Sequence, residues 1–290
     1  MDNASLTAFV TVTDCQSFSE AADRLYLTQS AISKRIALLE SQLNCRLFDR
    51  IGRHVMLTDA GRHLLPKARE ILLAIKDAER LVSNLRGSVN GRLCVAASHH
   101  ISLHRLPPVL KHYVAKFPEV ELDLRFDESE LAYESVLRGD IELALITLAP
   151  EHDARIISQV IWQDRLFYVA SQQHVLAKES RLTLDRLSQY PAILPRSNTF
   201  THQLVLKQFS EHNLEPSVHM STNYLDTLRM MVSIGLGWSL LPETMIDDTL
   251  VRLQLDVEPV ERPLGYIYHR NRTLSNAALE MIQLLEQARS

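Results

Sequence analysis

The spacing of the hydrophobic residues changes near residue 90, and this change restricts the possible folds more than any other feature. Up to that point apolar residues recur every three or four positions, which is typical of amphipathic helices. Afterwards apolar runs of strand length alternate with helical stretches, which is typical of an α/β domain. The segment Gly87–Gly91 between the two parts combines two glycines with small polar residues and predicts a hinge. The 290-residue chain is therefore predicted to form a small helical domain followed by a larger α/β domain.

The net charge of −4 conceals a basic block near the N-terminus. Residues 24–69 carry nine Lys and Arg against three Asp and Glu, whereas the sequence after residue 90 is acidic. A local basic block of this kind predicts an anionic partner such as nucleic acid. No apolar run approaches the ~18 residues of a membrane span. The acidic, polar start lacks the pattern of a signal peptide, so we expect a cytoplasmic protein without membrane contact.

The three cysteines, Cys15, Cys45 and Cys94, lie far apart and show no Cys-x-x-Cys spacing. This pattern predicts neither a disulfide framework nor a zinc site. His100 and His104 share the spacing of one helical turn, but no further ligand accompanies them, so no metal is predicted. Redox sensing through a cysteine remains an alternative, chiefly because Cys45 lies beside a predicted hairpin.

Three short helices are predicted in the first 45 residues, with N-caps at Ser5, Ser17 and Thr28. Glu20 completes a capping box with Ser17. The third helix has one apolar stripe, formed by Ile32, Ile36, Leu39 and Leu43.

The opposite face of the third helix is polar, as expected of a recognition helix that enters the major groove of DNA. Its base-reading and phosphate-binding candidates are Gln29, Ser30, Ser33, Lys34 and Arg35. Two short extended runs around Gly52 then predict a β-hairpin, in which Arg50 and Arg53 are candidates for contacts with phosphates or the minor groove. From periodicity alone, an ordinary solvated helix face is an equal alternative.

A long helix is predicted from Thr58–Asp59 to about Arg86, with Pro66 inside it as a site of kinking. Its apolar residues recur at alternating spacings of four and three, which is the pattern of a helix that pairs lengthwise with a partner. We predict a dimerisation seam at Leu64, Ala68, Ile71, Ile75, Ala78, Val82 and Leu85. An amphipathic helix that packs only on its own domain is the alternative.

The remaining sequence predicts a parallel sheet with helices on both faces. Ligands of such sheets bind at the carboxyl ends of the strands. We therefore expect a small-molecule site among the residues that follow strands, namely Ser98, His99, His100, Ser129, Thr147, Asn198, Thr199 and Phe200. For each of these residues, a simple capping role is the alternative. No nucleotide-binding loop, metalloprotease or hydrolase motif is present, so the sequence does not predict an enzyme.

Several ordered motifs closely resemble those of the LysR-type transcriptional regulators. The dense part of the resemblance covers about 65 residues and consists of the stretches 17–25, 28–40, 47–50 and 57–61. Weaker agreement continues through Gly91-Arg92-Leu93, Phe117-Pro118-Glu119 and Gly235-Leu236-Gly237. The chain departs from the family pattern at Asn44-Cys45, in place of Leu-Gly, and at Ser30, in place of Pro. Asn tolerates the left-handed conformation that this turn requires.

The resemblance implies an α/β protein with an N-terminal winged helix-turn-helix and a long linker helix. These precede a two-lobed effector domain shaped like a periplasmic binding protein. The corresponding boundaries are 1–58 for DNA binding, 59–86 for the linker and dimerisation helix, 87–91 for the hinge and 92–290 for the effector domain. Within the effector domain, lobe one would comprise about 92–161 and 266–290, and lobe two about 162–265.

The implied partners are double-stranded promoter DNA, a small-molecule effector and further copies of the chain, as a homodimer or homotetramer. Effector binding would change DNA bending or contact with RNA polymerase. No cofactor is implied. The rival hypothesis is a ligand-binding or enzymatic α/β protein whose helical N-terminus serves only assembly.

Overall fold

A computed structural model describes residues 1–51, 54–85 and 87–289. The chain divides into two compact units, Met1–Arg86 and Gly87–Ser290. Each unit has hydrophobic cores of its own. The change in hydrophobic spacing near residue 90 therefore corresponds to a change of structural unit.

Among its described residues, the N-terminal unit contains four helices and one pair of strands. Its elements are α1 (Asn3–Cys15), α2 (Phe18–Arg24), α3 (Gln29–Leu43), β1 (Phe48–Ile51), β2 (His54–Leu57) and α4 (Asp59–Asn84). Strands β1 and β2 pair antiparallel, from Phe48 opposite Leu57 to Ile51 opposite His54. The predicted turn at Gly52 and the candidate Arg53 lie outside the described residues, and so does the side chain of Arg50.

A side-chain oxygen caps the N-terminus of each of the four helices described in this unit, and Thr58 is the cap of α4. The Ser17 and Thr28 hydroxyls accept hydrogen bonds from the N–H groups of Glu20 and Ala31, as predicted. The predicted Ser5 cap is wrong, because the cap lies three residues earlier, at Asp2, whose carboxylate accepts the Ser5 N–H at 2.7 Å. Asn44 ends α3 with a φ of 48°, which confirms the left-handed turn expected there.

Helix α4 continues through Pro66 without interruption and ends at Asn84, slightly before the predicted end at Arg86. Its first turns pack on the core of the N-terminal unit. Gly61 is required in this region because a Cβ there would lie 2.3 Å from the Leu47 carbonyl oxygen.

The C-terminal unit alternates strands and helices as predicted. Its first half contains β3 (Gly91–Ala97), α5 (His99–His104), α6 (Pro107–Lys116), β4 (Val120–Phe126), α7 (Ser129–Arg138), β5 (Leu143–Thr147) and β6 (Ile156–Ser171). The second half contains α8 (Leu184–Ser188), β7 (Ala192–Leu194), α9 (Phe200–Ser210), β8 (Val218–Ser221), α10 (Leu225–Ser233), β9 (Ser239–Pro242), β10 (Leu250–Arg252), β11 (Val260–His269) and α11 (Asn276–Gln287). Two single-turn 3₁₀ segments follow β6 and β9, at Val175–Lys178 and Glu243–Met245.

The prediction of a parallel sheet is wrong for the main sheet, which is mixed. Its strand order is β10-β6-β11-β5-β3-β4, with β9 also pairing with β6. Strand β3 runs parallel to β4 and β5, but the pairs formed by β6 and β11 are antiparallel. A second, parallel pair is formed by β7 and β8. The antiparallel part is built around β6 and β11, two long strands that run through both lobes.

Strands β6 and β11 each supply side chains to two different cores. Ile161 and Trp162 of β6 lie in the core of lobe one, whereas Leu166 and Tyr168 lie in that of lobe two. On β11, Leu264 lies in the first core and Val260 in the second. The lobes therefore meet at residues 163–165 of β6 and 261–263 of β11.

Candidate nucleic-acid interface and interlobe cavity

Helix α3 buries its apolar stripe and exposes the predicted recognition face. Ile32, Ile36 and Leu39 are buried in the core of the N-terminal unit. Gln29, Ser30 and Lys34 are exposed, and Ser33 and Arg35 are half-exposed. The polar face is therefore available to a partner, and the same exposure is expected of the alternative, an ordinary solvated helix face.

The turn before α3 presents an aromatic residue that the sequence analysis did not select. Tyr26 is 96% exposed and adopts a left-handed φ of 54° between α2 and α3. An exposed tyrosine beside the first turn of a recognition helix can donate its hydroxyl to a phosphate. The signal in the sequence was its position two residues before the Thr28 cap, within the apolar run Leu25-Tyr26-Leu27.

The predicted seam on α4 must be corrected at its N-terminal end. Ala68 is fully buried and Leu64 half-buried in the core of their own unit, so their packing is intramolecular. Further along the helix, Ile71 is 38% exposed, Val82 61% and Leu85 86%. The apolar surface open to another chain therefore comprises Ile71, Ile75, Ala78, Val82 and Leu85.

A cavity of about 560 Å³ lies between the two lobes of the C-terminal unit. Six of the eight predicted effector residues line it, namely Ser98, His99, His100, Ser129, Thr147 and Thr199. Two do not. Asn198 is exposed away from the lining, and Phe200 packs its ring edge-on against Tyr133, with 5.9 Å between ring centroids.

The cavity wall also contains charged and polar groups beyond those eight residues. The most important are Asp127, Glu128, Glu130, Asn223 and Arg262. Glu130 lies in the first turn of α7. Its carboxylate reaches the start of α9, where it accepts the Phe200 N–H at 2.6 Å. Burial raises the pKa of Glu130, although that hydrogen bond opposes the change.

A cluster of charged groups occupies the place where the lobes meet. The buried Asp164 carboxylate on β6 accepts hydrogen bonds from Arg262 Nη2 at 2.6 Å, Arg105 Nη2 at 2.8 Å and His100 Nε2 at 2.9 Å. Arg262 is only 4% exposed and lies opposite Asp164 in the strand register. The sequence gives no local signal for this cluster, because Asp164 and Arg262 are 98 positions apart.

The ionisation of the cluster follows from these contacts. Burial alone would raise the pKa of Asp164, but the His100 and Arg262 hydrogen bonds and the Arg262 charge outweigh it, so the pKa lies below its ordinary value. Burial lowers the pKa of His100, and the Arg262 charge adds to the effect despite the hydrogen bond to Asp164. Asp164 is therefore an anion, and His100 is a neutral imidazole that donates its Nε2–H to it.

The described histidines and cysteines are not arranged as metal ligands or as disulfide partners. His100 Nε2 is bonded to Asp164, and the part of the chain that the structure describes holds no group of three or more residues arranged to bind a metal ion. The three cysteines are free thiols. Burial raises the pKa of Cys94 to about 11, which disfavours the reactive thiolate there.

Comparison with known proteins agrees with both halves of this architecture. The family of bacterial regulatory helix-turn-helix proteins of the lysR type matches residues 4–62, and the LysR substrate binding domain matches residues 86–290. The chain therefore belongs to the LysR family. It is a DNA-binding transcriptional regulator with a two-lobed α/β effector-binding domain.

Individual relatives support the same assignment. An uncharacterised helix-turn-helix transcriptional regulator in the ibpB-leuC intergenic region of Azotobacter vinelandii is 62% identical over 108 residues, which cover 37% of this chain and 75% of that protein. The transcriptional dual regulator GltC of Bacillus subtilis is 28% identical over 99% of this chain and 97% of its own. These relatives are transcriptional regulators rather than enzymes.

The fold is shared with solved structures along the whole chain. Full-length CbnR in complex with its target DNA is 21% identical and has a TM-score of 0.64, with coverage of 99% of this chain and 100% of that one. Within the described ranges, no helix is both long and apolar enough to cross a bilayer.

Proposed function

We propose that this regulator reads promoter DNA with the exposed face of α3 and that a small molecule in the interlobe cavity controls the outcome. The observation that carries the proposal is the orientation of α3, which buries Ile32, Ile36 and Leu39 and leaves Gln29 and Lys34 at the surface. This orientation supports insertion of α3 into the major groove.

The polar residues of this face have different roles in the proposal. Gln29 reads an adenine edge through paired hydrogen bonds, and Ser30 and Ser33 make less selective base contacts. Phosphate contacts are assigned to Lys34, Arg35 and Tyr26. Arg50 and Arg53 are assigned contacts with phosphates or with the minor groove.

The effector occupies the cavity between the lobes, with Ser98, Ser129, Thr147 and Thr199 as its polar wall. Ser98 supports this role, because its hydroxyl lies at the start of α5 but makes no capping hydrogen bond there. A ligand that contacts both lobes changes the balance between their arrangements, and coupling of about 1–3 kcal/mol is usual for such control.

We further propose that the chain acts in the cytoplasm, where promoter DNA lies, as a dimer or a dimer of dimers. Pairing through the exposed part of α4 would place two copies of α3 about one helical turn apart, near ~34 Å. The boundaries 1–58, 59–86, 87–91 and 92–290 describe the working parts. A change in DNA bending or in contact with RNA polymerase is the proposed output.

A gel-shift experiment with promoter fragments from the source organism tests this function. The purified full chain should select particular fragments over random DNA at moderate salt. Gln29→Ala should cost about 1–3 kcal/mol on the selected site and little on random DNA, because it removes a base contact. Lys34→Ala should weaken both complexes and reduce the salt slope by about one unit, because it removes a phosphate contact.

The result that would contradict the proposal is equal loss on both DNAs for Gln29→Ala, or no selective binding at all. The second result would favour the rival hypothesis, in which the helical N-terminus serves only assembly.

A further inference from the structure

The charges around the interlobe cavity are unfavourable for an anionic ligand. Three acidic residues, Asp127, Glu128 and Glu130, lie together at the beginning of α7. Among the described lining residues, Arg262 is the only Lys or Arg, and its charge is already paired with Asp164. A dicarboxylate or phosphate would therefore enter a cavity whose wall carries net negative charge.

The positive end of α9 does not compensate for these acids. An exposed helix N-terminus is a ready anion site, and α9 begins at the cavity. However, the Phe200 N–H already donates to Glu130, and the His202 N–H donates to the Thr199 hydroxyl. Glu130 thus occupies the place that a ligand carboxylate would otherwise take at this helix.

Three residues of the cavity wall, Arg262, Asn223 and His100, each have one buried side-chain atom without a hydrogen-bond partner in the described chain. These atoms are Nε, Nδ2 and Nδ1 respectively. The first two are hydrogen-bond donors, and both the Arg262 and His100 side chains are at least nine-tenths buried. Since Nε2 of His100 carries its proton toward Asp164, Nδ1 is an acceptor. A ligand that satisfies this wall must offer both acceptor and donor atoms.

We infer that the cavity binds a small zwitterionic amino acid. Its ammonium group would face Asp127, Glu128 and Glu130, and its carboxylate would accept hydrogen bonds from Arg262 and Asn223. The volume of about 560 Å³ is within the range for small-molecule sites. The inference rests on the proposed function, because it names the chemical class of the effector.

Ligand binding to the full-length protein tests this inference. Each of the twenty protein amino acids is added to the purified chain, and the midpoint of thermal unfolding is measured, followed by calorimetry on those that raise it. For the amino acid that binds most tightly, two matched probes are then compared: the 2-hydroxy acid, which lacks the ammonium group, and the amine, which lacks the carboxylate. At least one amino acid should bind with submillimolar affinity, and both probes should bind at least tenfold more weakly.

Charge-neutral variants locate the site. Glu130→Gln removes the negative charge but keeps an acceptor for the Phe200 N–H. Asp127→Asn removes the negative charge on the neighbouring loop. Together they should weaken amino-acid binding at least tenfold and leave binding of the hydroxy acid unchanged or stronger. Glu134→Gln is the matched control, because Glu134 lies on the same helix but is exposed and outside the cavity wall. Asn223→Ala should weaken both ligands.

Several results would overturn the inference. The first is that no amino acid binds at concentrations up to about 10 mM. The second is that a dicarboxylate or the hydroxy acid binds more tightly than the amino acid. The third is that the cavity variants leave amino-acid binding unchanged. If selective promoter binding persists in those cases, the inference about the ligand fails while the proposed function stands. Loss of selective DNA binding in the unmodified chain would instead contradict the proposed function itself.

Discussion

At the scale of single residues, Asp164 is the group whose charge the fold needs most. It is buried and holds together Arg262, Arg105 and His100 at the point where the lobes meet. Asp164→Asn keeps the size of the side chain but leaves the buried Arg262 charge uncompensated. We expect the free energy of unfolding to fall by about 3–5 kcal/mol, measured by urea denaturation of the full chain.

An exposed ion pair provides the control for this experiment. Arg138 and Asp140 form a salt bridge with both side chains more than 40% exposed, so Asp140→Asn should cost less than about 1 kcal/mol. Equal losses for the two variants would show that burial does not determine the importance of Asp164.

His100 gives the fold a dependence on pH. Its pKa is lowered in the folded chain, so below about pH 6.5 the unfolded state binds more protons than the folded state. The free energy of unfolding should therefore decrease as the pH falls from 7 to 5. In His100→Gln, whose amide can still donate to Asp164, this decrease should be smaller. Identical pH slopes in urea denaturation would contradict the role assigned to His100.

At the scale of secondary structure, sequence patterns predict local features better than pairings between distant strands. The caps at Ser17 and Thr28 follow from neighbouring residues and are confirmed. The apolar run Val120–Phe126 likewise predicts β4 with its observed bounds. The apolar run Leu166–Ser171, in contrast, predicts only the second part of β6, which begins at Ile156. Polar residues such as Gln163 and Asp164 interrupt its apolar run, and they are acceptable there because β6 passes from one core to the other.

The same limit applies to the candidate site. Ser98, Ser129 and Thr199 could be predicted because they follow strands or begin helices, where ligands of α/β domains bind. Arg262 could not, since its place in the wall depends on β6 and β11 pairing across 98 positions. The two failures among the predicted residues, Asn198 and Phe200, depend on the directions of side chains in the loop before α9 and at the first residue of that helix, which periodicity does not encode.

Helix α4 provides a test of assembly at this scale. Val82 is 61% exposed on the apolar face, so a charge there should not disturb the fold of a single chain. Val82→Glu should convert the oligomer to monomers in light scattering, because the charge would be buried in the pairing seam. Ser83→Glu, which introduces the same charge on an exposed position away from the seam, should leave the mass unchanged. Unaltered mass in Val82→Glu would contradict pairing through α4.

At the scale of the whole molecule, the two structural units differ in charge in the way that their proposed functions require. The basic block at residues 24–69 lies within the unit that carries α3, whereas the acidic sequence forms the two-lobed unit with its cavity. A mixed sheet whose long strands serve both lobes places the Asp164 cluster where a ligand between the lobes can influence their arrangement. We therefore assign DNA recognition to the first unit and propose that the second unit controls it.

Hydroxyl-radical footprinting of the purified full chain on its own promoter region tests the central claim most directly. We predict two protected patches on one face of the duplex, centred about one helical turn, ~34 Å, apart. Both patches should disappear in the Gln29→Ala, Lys34→Ala double variant at a concentration that protects the DNA fully with the unmodified chain. Absence of protection with the unmodified chain, or the same two patches with the double variant, would contradict the assignment of α3 as the element that recognises DNA.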